Sequence, residues 1–581
     1  MVSGTLVATT VFAILVLVAT LSLFWHYTKV SVKSVPLLCS VCTIVSVYVS
    51  ILPFPLLVVD ISAASEAKGD PEKEARWLTC LWYIIMAITY IMGWVLLPVS
   101  QCYTELGQFT SRRKLVYAIK TNIKLYAIMF IVAIVFFAYL AFLKGVGDSF
   151  SGIVKLGTGL ANAWGLLLLV LFMSAGLVGV PRVLWRRSCA ARMLRYAYFA
   201  AVDIQEDLES ALTDLAAVKE ELMSIRPLVA VEHNAHWVHM IKLIDDARIE
   251  ASQYSSISRC HSKKSGVVHS DVSLGHLEEL HERVLRRIKI TRRMSFMWRS
   301  TLKNCQFYES VLYGVDESVN GFTRFWIYVR EGVYKMASVC AAVLTAMLLL
   351  SELAVPLKSF ATFQLSIVAI VVGNGFELVG SMVFLFYMAQ CSYWAIVQLK
   401  VFDIYVIMPS ISDNASLCFY AIFLTRLIMP LCFNFLLMAD VDVEVQYGNV
   451  YERNMDVTFI FGKAFNQFLP TFISIVSLLY YVKVVDRLLA LFGIEVQSAD
   501  DVMNSEVRQR IESGHRLVTL ALGKPLKGLN FSHLGFEHEE VEGLFQDYSP
   551  QEVQPTSPVE RGRRYREYLE KKRAAQADHD V

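Results

Sequence analysis

VVGNGFELVGSMVF, residues 371–384, sets Gly373, Asn374, Gly375 and an ionisable Glu377 inside a run that is otherwise apolar from 360 to 397. A carboxylate is costly in lipid and ordinary in water, so the setting of this run decides how the stretch is read. Composition supplies the setting. The 581 residues are 55% hydrophobic and only 18% charged, which is not the balance of a soluble globular chain. Apolar runs recur at 5–25, 35–59, 77–98, 124–143, 157–184, 332–353, 363–388, 415–438 and 463–485. Each reaches the ~20 residues that carry a helix across a bilayer core. The expected fold is all-α, a polytopic transmembrane helical bundle of about nine spans.

Four parts follow from the spacing of the runs. Residues 1–184 form an N-terminal membrane half of five spans, and 185–331 a cytosolic helical insertion. Residues 332–492 form a C-terminal membrane half of four spans, and 493–581 a cytosolic, partly disordered tail. Lys29, Lys33, Arg112, Arg113 and Lys114, the basic insertion and the tail fall on one side. The opposite loops include the acid-rich 439–462. Lys and Arg favour the cytosolic side, so the N-terminus is expected outside and the C-terminus in the cytosol. The first run lacks a basic n-region and is expected as a retained anchor, not a cleaved signal peptide.

The net charge of +2 carries little information, and basic residues near membrane ends do not suggest nucleic acid. Eleven cysteines lie mostly within spans or on the cytosolic side, so free thiols are expected. Cys39 and Cys42 read as buried small side chains before they read as a metal pair. Sequons at Asn414 and Asn530 fall on the cytosolic side and are expected to stay unmodified.

Within the insertion, Ile204, Leu208, Ala211, Leu215, Val218, Leu222 and Ile225 form a coiled-coil seam with a 3.5-residue repeat. Leu277, Leu280, Val284 and Ile288 begin a second stripe, and the Ser-rich 252–273 between them has a linker's composition. An antiparallel helical hairpin is expected, with a homodimer through the same seam as the competing arrangement. His233, His236 and His239 stand three apart, which spreads them over ~240° of helix and argues against a metal site. Arg286, Arg287, Lys289, Arg292, Arg293 and Arg299, among Met294, Phe296, Met297 and Trp298, read as anchoring at lipid headgroups.

The last three spans hold the polar residues. Asn374, Glu377, Arg426, Asn434, Asn466 and Gln467 form the expected intramembrane polar cluster, and Gly373, Gly375, Pro430 and Pro470 the expected helix breaks. Counted from the cytosolic ends, Glu377 and Arg426 both lie roughly 15–20 Å deep, so an ion pair is expected between them. Such a pair is either a packing clasp or the lining of a path. There is no P-loop, G-x-S-x-G, H-E-x-x-H or dinucleotide glycine fingerprint. No enzyme, catalytic residue, cofactor or metal is expected.

The run LKVFDIYVIMPSISDNASLCFYAIFLTRLIMPLCFNFLLM (399–438) and MDVTFIFGKAFNQFLPTF (455–472) carry a family resemblance. With ILPFPLLVVDIS (51–62) and GWVLLPVSQCYTELGQFTSRRKLVYAIKTNIKLY (93–126), they resemble the limb-region (LMBR-like) membrane protein family. Within it, the chain is most similar to the branch called LMBR domain-containing protein two. The insertion and the tail match only loosely. The resemblance implies nine spans, an outside N-terminus and a large cytosolic loop after span five. It carries over no ligand-binding residue. Family roles run from ligand endocytosis and escort of an exporter to modulation of receptor signalling. A multi-pass protein of the plasma membrane or an endosomal or lysosomal membrane is therefore expected. It would act as a receptor-like or scaffold/escort protein in membrane trafficking or receptor signalling, with the lipid bilayer around it and protein partners on the insertion and tail. The alternative is a transporter or channel-like protein that moves a small solute, ion or lipid along the polar stripe of the last three spans.

Overall fold

The structure is a computed structural model that describes residues 2–28, 36–67, 76–144, 150–252, 273–314, 321–357, 366–373, 377–398, 405–410, 412–440, 445–455, 463–484 and 505–523. The described residues are helices and the turns between them, with no strand. In chain order the helices are α1 (Val2–Thr28), α2 (Leu37–Ile51), α3 (Pro53–Ala67), α4 (Arg76–Ile91), α5 (Leu97–Glu105), α6 (Ser111–Lys144) and α7 (Phe150–Ser188). Then come α8 (Ala190–Ser224), α9 (Asn234–Ser252), α10 (Leu274–Tyr313), α11 (Gly321–Leu357), α12 (Ile367–Gly373) and α13 (Glu377–Gln398). The series ends with α14 (Asn414–Ala439), α15 (Gln446–Met455), α16 (Lys463–Tyr481) and α17 (Ser505–Leu522).

Eight helical stretches among the described residues are long and apolar enough to cross a membrane. Two of them are composite. α2 runs into α3 through Leu52, and α4 joins α5 through a π-helical turn at Met92–Leu96. The ninth expected run corresponds to α16, whose apolar stretch Phe468–Tyr481 is shorter. The chain is an integral multi-pass membrane protein. Its most enclosed span is α14, and its least enclosed is the apolar part of α6. This ordering matches side-chain chemistry, since small and polar residues collect along α14 while α6 turns Ile128, Phe130, Ile131 and Val132 outward, the faces lipid would cover.

Two expectations about helix breaks need correcting. Pro430 and Pro470 interrupt nothing, because α14 and α16 continue through them. A proline inside a membrane helix removes one hydrogen bond, and neighbouring helices satisfy what it frees. Gly373 is the last described residue of α12, and an added Cβ there would meet nothing within 4 Å. Close approach occurs instead on α7, where a Cβ at Gly165 would stand 2.8 Å from the Arg426 carbonyl oxygen and one at Gly176 would collide with the backbone of Cys391. Gly375 lies outside the described residues. Of the segment expected at 363–388, the described helices are α12 and α13, and α13 reaches Gln398.

The insertion is built on α8 and α10. Glu221 pairs with Arg283, Asp214 with Arg287, Ala211 with Thr291 and Tyr198 with Glu309. Numbers fall along one helix as they rise along the other, so the two are antiparallel. Ile204, Leu208, Ala211, Leu215, Val218, Leu222 and Ile225 are all buried. The last four pack in one cluster with Leu277, Leu280, Val284 and Ile288 and with Trp237, Met240 and Ile244 of α9. A seam of this length, already filled by its own chain, is what the 3.5-residue repeat requires. The basic stretch of α10 is not devoted to headgroups. Arg286, Arg287, Lys289 and Arg292 meet Glu282, Asp214, Asp413 and Glu250, and Trp298 is buried. α17 lies against α8, with Ile511 and Val518 buried and Arg510 paired to Asp203.

Candidate functional site

Of the expected polar cluster, the structure describes the side chains of Arg426 and Asn434, and these two serve different places. Arg426 of α14 faces Trp94, its guanidinium carbon 4.4 Å from the ring centroid, a cation–π contact. Trp94 lies in the π-turn, and its carbonyl accepts a hydrogen bond from Tyr126 of α6. The residues around the guanidinium, including Thr89, Asn162, Thr425 and Pro430, leave about 30 Å³ of free space, the room of a water molecule. Nε of Arg426 has no hydrogen-bond partner among the described residues, which suits a site that admits water. Glu377 is the first residue of α13, and its side chain lies outside the described residues, as do Asn374 and the side chains of Asn466 and Gln467.

Asn434, two turns beyond Arg426, belongs to a different place. Its Nδ2 donates to Oε1 of Glu352 at 3.3 Å, while Ser474 Oγ donates to Oε2 at 3.2 Å. Glu352 and Asn434 are both 0% exposed. Here α11, α14 and α16 meet, with Met173 of α7 beside the amide. A second buried carboxylate, Asp60 of α3, accepts from Trp82 Nε1 at 2.9 Å and from the backbone N–H groups of Gln446 and Tyr447 at 3.3 and 2.8 Å. Those two N–H groups open α15, so Asp60 caps that helix from across the bundle. Neither acid was singled out in the sequence. The signal was available for both, since each is a lone acid in an apolar run, the same warrant that drew notice to Glu377.

A third group of contacts seats the insertion on the membrane half. His281 of α10 shares a 2.6 Å hydrogen bond between Nδ1 and the Gly107 carbonyl, in the turn between α5 and α6. A Cβ at Gly107 would overlap the backbone of Glu278 and Glu282, so only glycine lets the turn lie this close to α10. Two residues on, Phe109 is sandwiched between His236 at 4.0 Å and His281 at 4.6 Å, with interplanar angles of 17° and 12°. Burial holds the His281 imidazole below its ordinary pKa, reinforced by His239, Lys114 and His236 nearby. The first expected histidine, His233, sits at the edge of this group, 6.3 Å from His236. No group of three or more His, Cys, Asp or Glu placed to hold a metal ion occurs among the described residues.

Two further fastenings lie nearby. Lys289 of α10 reaches Asp413 at the start of α14 at 3.2 Å. Arg330 of α11, 4% exposed, donates to the Arg187 carbonyl at the end of α7 at 2.6 Å. Phe307, Tyr308 and Tyr334 surround its guanidinium at 5.0–5.8 Å. The insertion is therefore held at the turn after α5 and at the start of α14, and Arg330 closes its neck where α7 ends and α11 begins. Sequence periodicity gave no warning of these fastenings, because each joins residues that are far apart along the chain.

The sequence profile of the LMBR1-like membrane proteins matches residues 5–485. The chain belongs to the LMBR1-like membrane protein family. A protein of Caenorhabditis briggsae named G-protein coupled receptor-associated protein LMBRD2 is 26% identical over 476 residues, covering 76% of this chain and 72% of the relative. The human protein of that name is 22% identical over 479 residues, covering 75% and 68%. A Drosophila melanogaster LMBR1 domain-containing protein 2 homolog is 24% identical over 479 residues, covering 74% and 69%. No solved structure matches the chain. The family match includes all three buried polar sites and the three fastenings, and it stops before α17.

Proposed function

We propose that this family member is a membrane-embedded scaffold that works beside membrane receptors, the G-protein-coupled class among them. The helical insertion, on the cytosolic side, is its partner-holding surface. The observation that carries this reading is the seating of the insertion. Two of the fastenings hold α10 on the membrane half and the third closes the neck of the insertion, so a partner gripping the insertion is held in fixed register with whatever the spans contact in the bilayer. The names of the relatives point the same way. A transport role draws no comparable support at Arg426, where the free space suits a water and the packing suits a clasp between helices.

The test is co-purification of the full-length chain with a panel of co-expressed seven-helix receptors. Lys289→Glu paired with His281→Ala should unseat the insertion and leave the spans intact. Retention of a receptor by the wild type, reduced at least fivefold by the paired change at equal expression, is the expected result. Equal retention by both forms, or no retention of any receptor by the wild type, would remove the proposal.

A further inference from the structure

The meeting point of α11, α14 and α16 carries an inference independent of any receptor. Glu352 is fully enclosed, and its recorded partners are neutral: the Asn434 amide at 3.3 Å and the Ser474 hydroxyl at 3.2 Å. No Lys, Arg or His stands within ion-pair distance of it among the described residues. A carboxylate enclosed this way needs a compensating positive charge. The surrounding atoms say what kind. Asn434 Oδ1 and Ser477 Oγ are buried and lack hydrogen-bond partners among the described residues. Ser477, 1% exposed, lies one turn beyond Ser474 on α16. Both hydrogen bonds to the carboxylate are long, and two acceptor oxygens are left over.

A proton on Glu352 would cancel the charge and could be donated to Ser474 Oγ, whose own proton has the Leu349 carbonyl at 3.2 Å, but Asn434 Oδ1 and Ser477 Oγ would stay without partners. A cation would use all of them. We propose that Glu352, Asn434, Ser474 and Ser477 form a binding site for a small monovalent cation, with sodium as the fitting occupant. All its ligands are oxygens, the donors that hard cations select, and a single carboxylate balances a single positive charge. A divalent ion would leave a net buried charge and is disfavoured for the same reason that a bare carboxylate is. Bound there, the ion ties α11, α14 and α16 together, and the Asn434 amide nitrogen rests against Met173 of α7. Cation occupancy is thereby coupled to the packing of the C-terminal membrane half.

Thermal unfolding of the full-length chain in uncharged-lipid nanodiscs tests this. Sodium chloride is titrated against choline chloride at constant ionic strength, at pH 6 and pH 8. The expected result is a saturable rise in Tm with sodium, lost in Glu352→Gln. Ser474→Ala, a smaller change that tests the site should Glu352→Gln not fold, is expected to raise the half-saturating sodium at least threefold. Three outcomes overturn the proposal. One is a wild-type Tm indifferent to the choice of cation. Another is a sodium effect that both variants keep unchanged. The third is a Tm that responds to pH but not to cation, which makes Glu352 a protonated carboxyl.

Discussion

The membrane half and the insertion both use acids to join helices, and they give those acids opposite partners. In the insertion Glu221, Asp214, Asp245 and Glu250 meet Arg283, Arg287, Lys219 and Arg292 at half-exposed rims, around a core of Leu, Ile, Val and Met. In the membrane half Asp60 and Glu352 are fully enclosed, and they meet N–H groups, an amide and a hydroxyl. Solvent explains the contrast. Water screens rim pairs and makes each worth little, so the insertion's stability rests on its apolar seam. Around these two enclosed acids the bundle is shielded from bulk water, and each polar contact there becomes both strong and costly to lose.

The comparison predicts that the largest effect of any single change is at Asp60. Asp60→Ala leaves Trp82 Nε1 and the N–H groups of Gln446 and Tyr447 without their acceptor. At ~1–3 kcal/mol for each buried donor left unpaired, the loss should exceed 3 kcal/mol. Size-exclusion thermal profiles of the solubilised chain should show most of the monodisperse fraction gone at temperatures where the wild type survives. A profile within 1–2 °C of wild type would mean that the contact is not structural, and the contrast between the halves would collapse.

Next in size is the insertion's seam. Leu280 is fully buried in the cluster of α8, α9 and α10, and Leu280→Ala should cost about 2–5 kcal/mol. The effect should stay local. Hydrogen exchange is expected to quicken through α8, α9 and α10 while α7 and α14 keep wild-type protection. Equal loosening of both halves would show that the fastenings transmit more than position.

How much of this was legible in the sequence differs between the two halves for the same reason. Spans and seam are local patterns, set by run length and by a 3.5-residue repeat, and both were readable residue by residue. Partners in the bundle are not local. Matched depth on consecutive spans points Arg426 toward Glu377, whose side chain lies outside the described residues, and gives no hint of its ring partner Trp94, over three hundred residues earlier. The π-turn that presents Trp94 has no sequence signature here. Asn434 was grouped with Arg426, but it serves Glu352, which an even-handed search for lone acids in apolar runs would have found. The basic stretch of α10 was legible as charge and not as pairing, since its acids lie on other helices and at the start of α14.

A smaller effect is expected from acid. His281 is held below its ordinary pKa by burial, and so is His515, which lies against Tyr198 where α17 meets α8. A depressed histidine is neutral when folded while the unfolded chain takes up protons from about pH 6.5 downward. The stability these residues support is therefore whole above that pH and is lost as pH falls toward the folded values. Hydrogen exchange at pH 5.5 against pH 7.5 should show faster opening around 107–113 and α10. His281→Gln should remove most of the difference. A site equally protected at both values would contradict the neutral assignment.

The smallest effect is expected at the rim, and it tests the other side of the comparison. Arg292 and Glu250 meet at 2.9 Å with side chains 41% and 58% exposed. Arg283 grips Glu221 through two hydrogen bonds of 2.8 and 3.1 Å at similar exposure. Arg292 also reaches the second Glu250 oxygen, but at 3.5 Å, so geometry favours Arg283–Glu221, whose two bonds are both short. Double-mutant cycles to alanine should give coupling of at most about 0.5 kcal/mol for Arg292–Glu250 and up to about 1 kcal/mol for Arg283–Glu221, both shrinking in high salt. Coupling above 2 kcal/mol at either pair would place these rims in a drier setting than their exposure indicates. It would bring the insertion's chemistry closer to that of the spans, and water would no longer account for the difference between them.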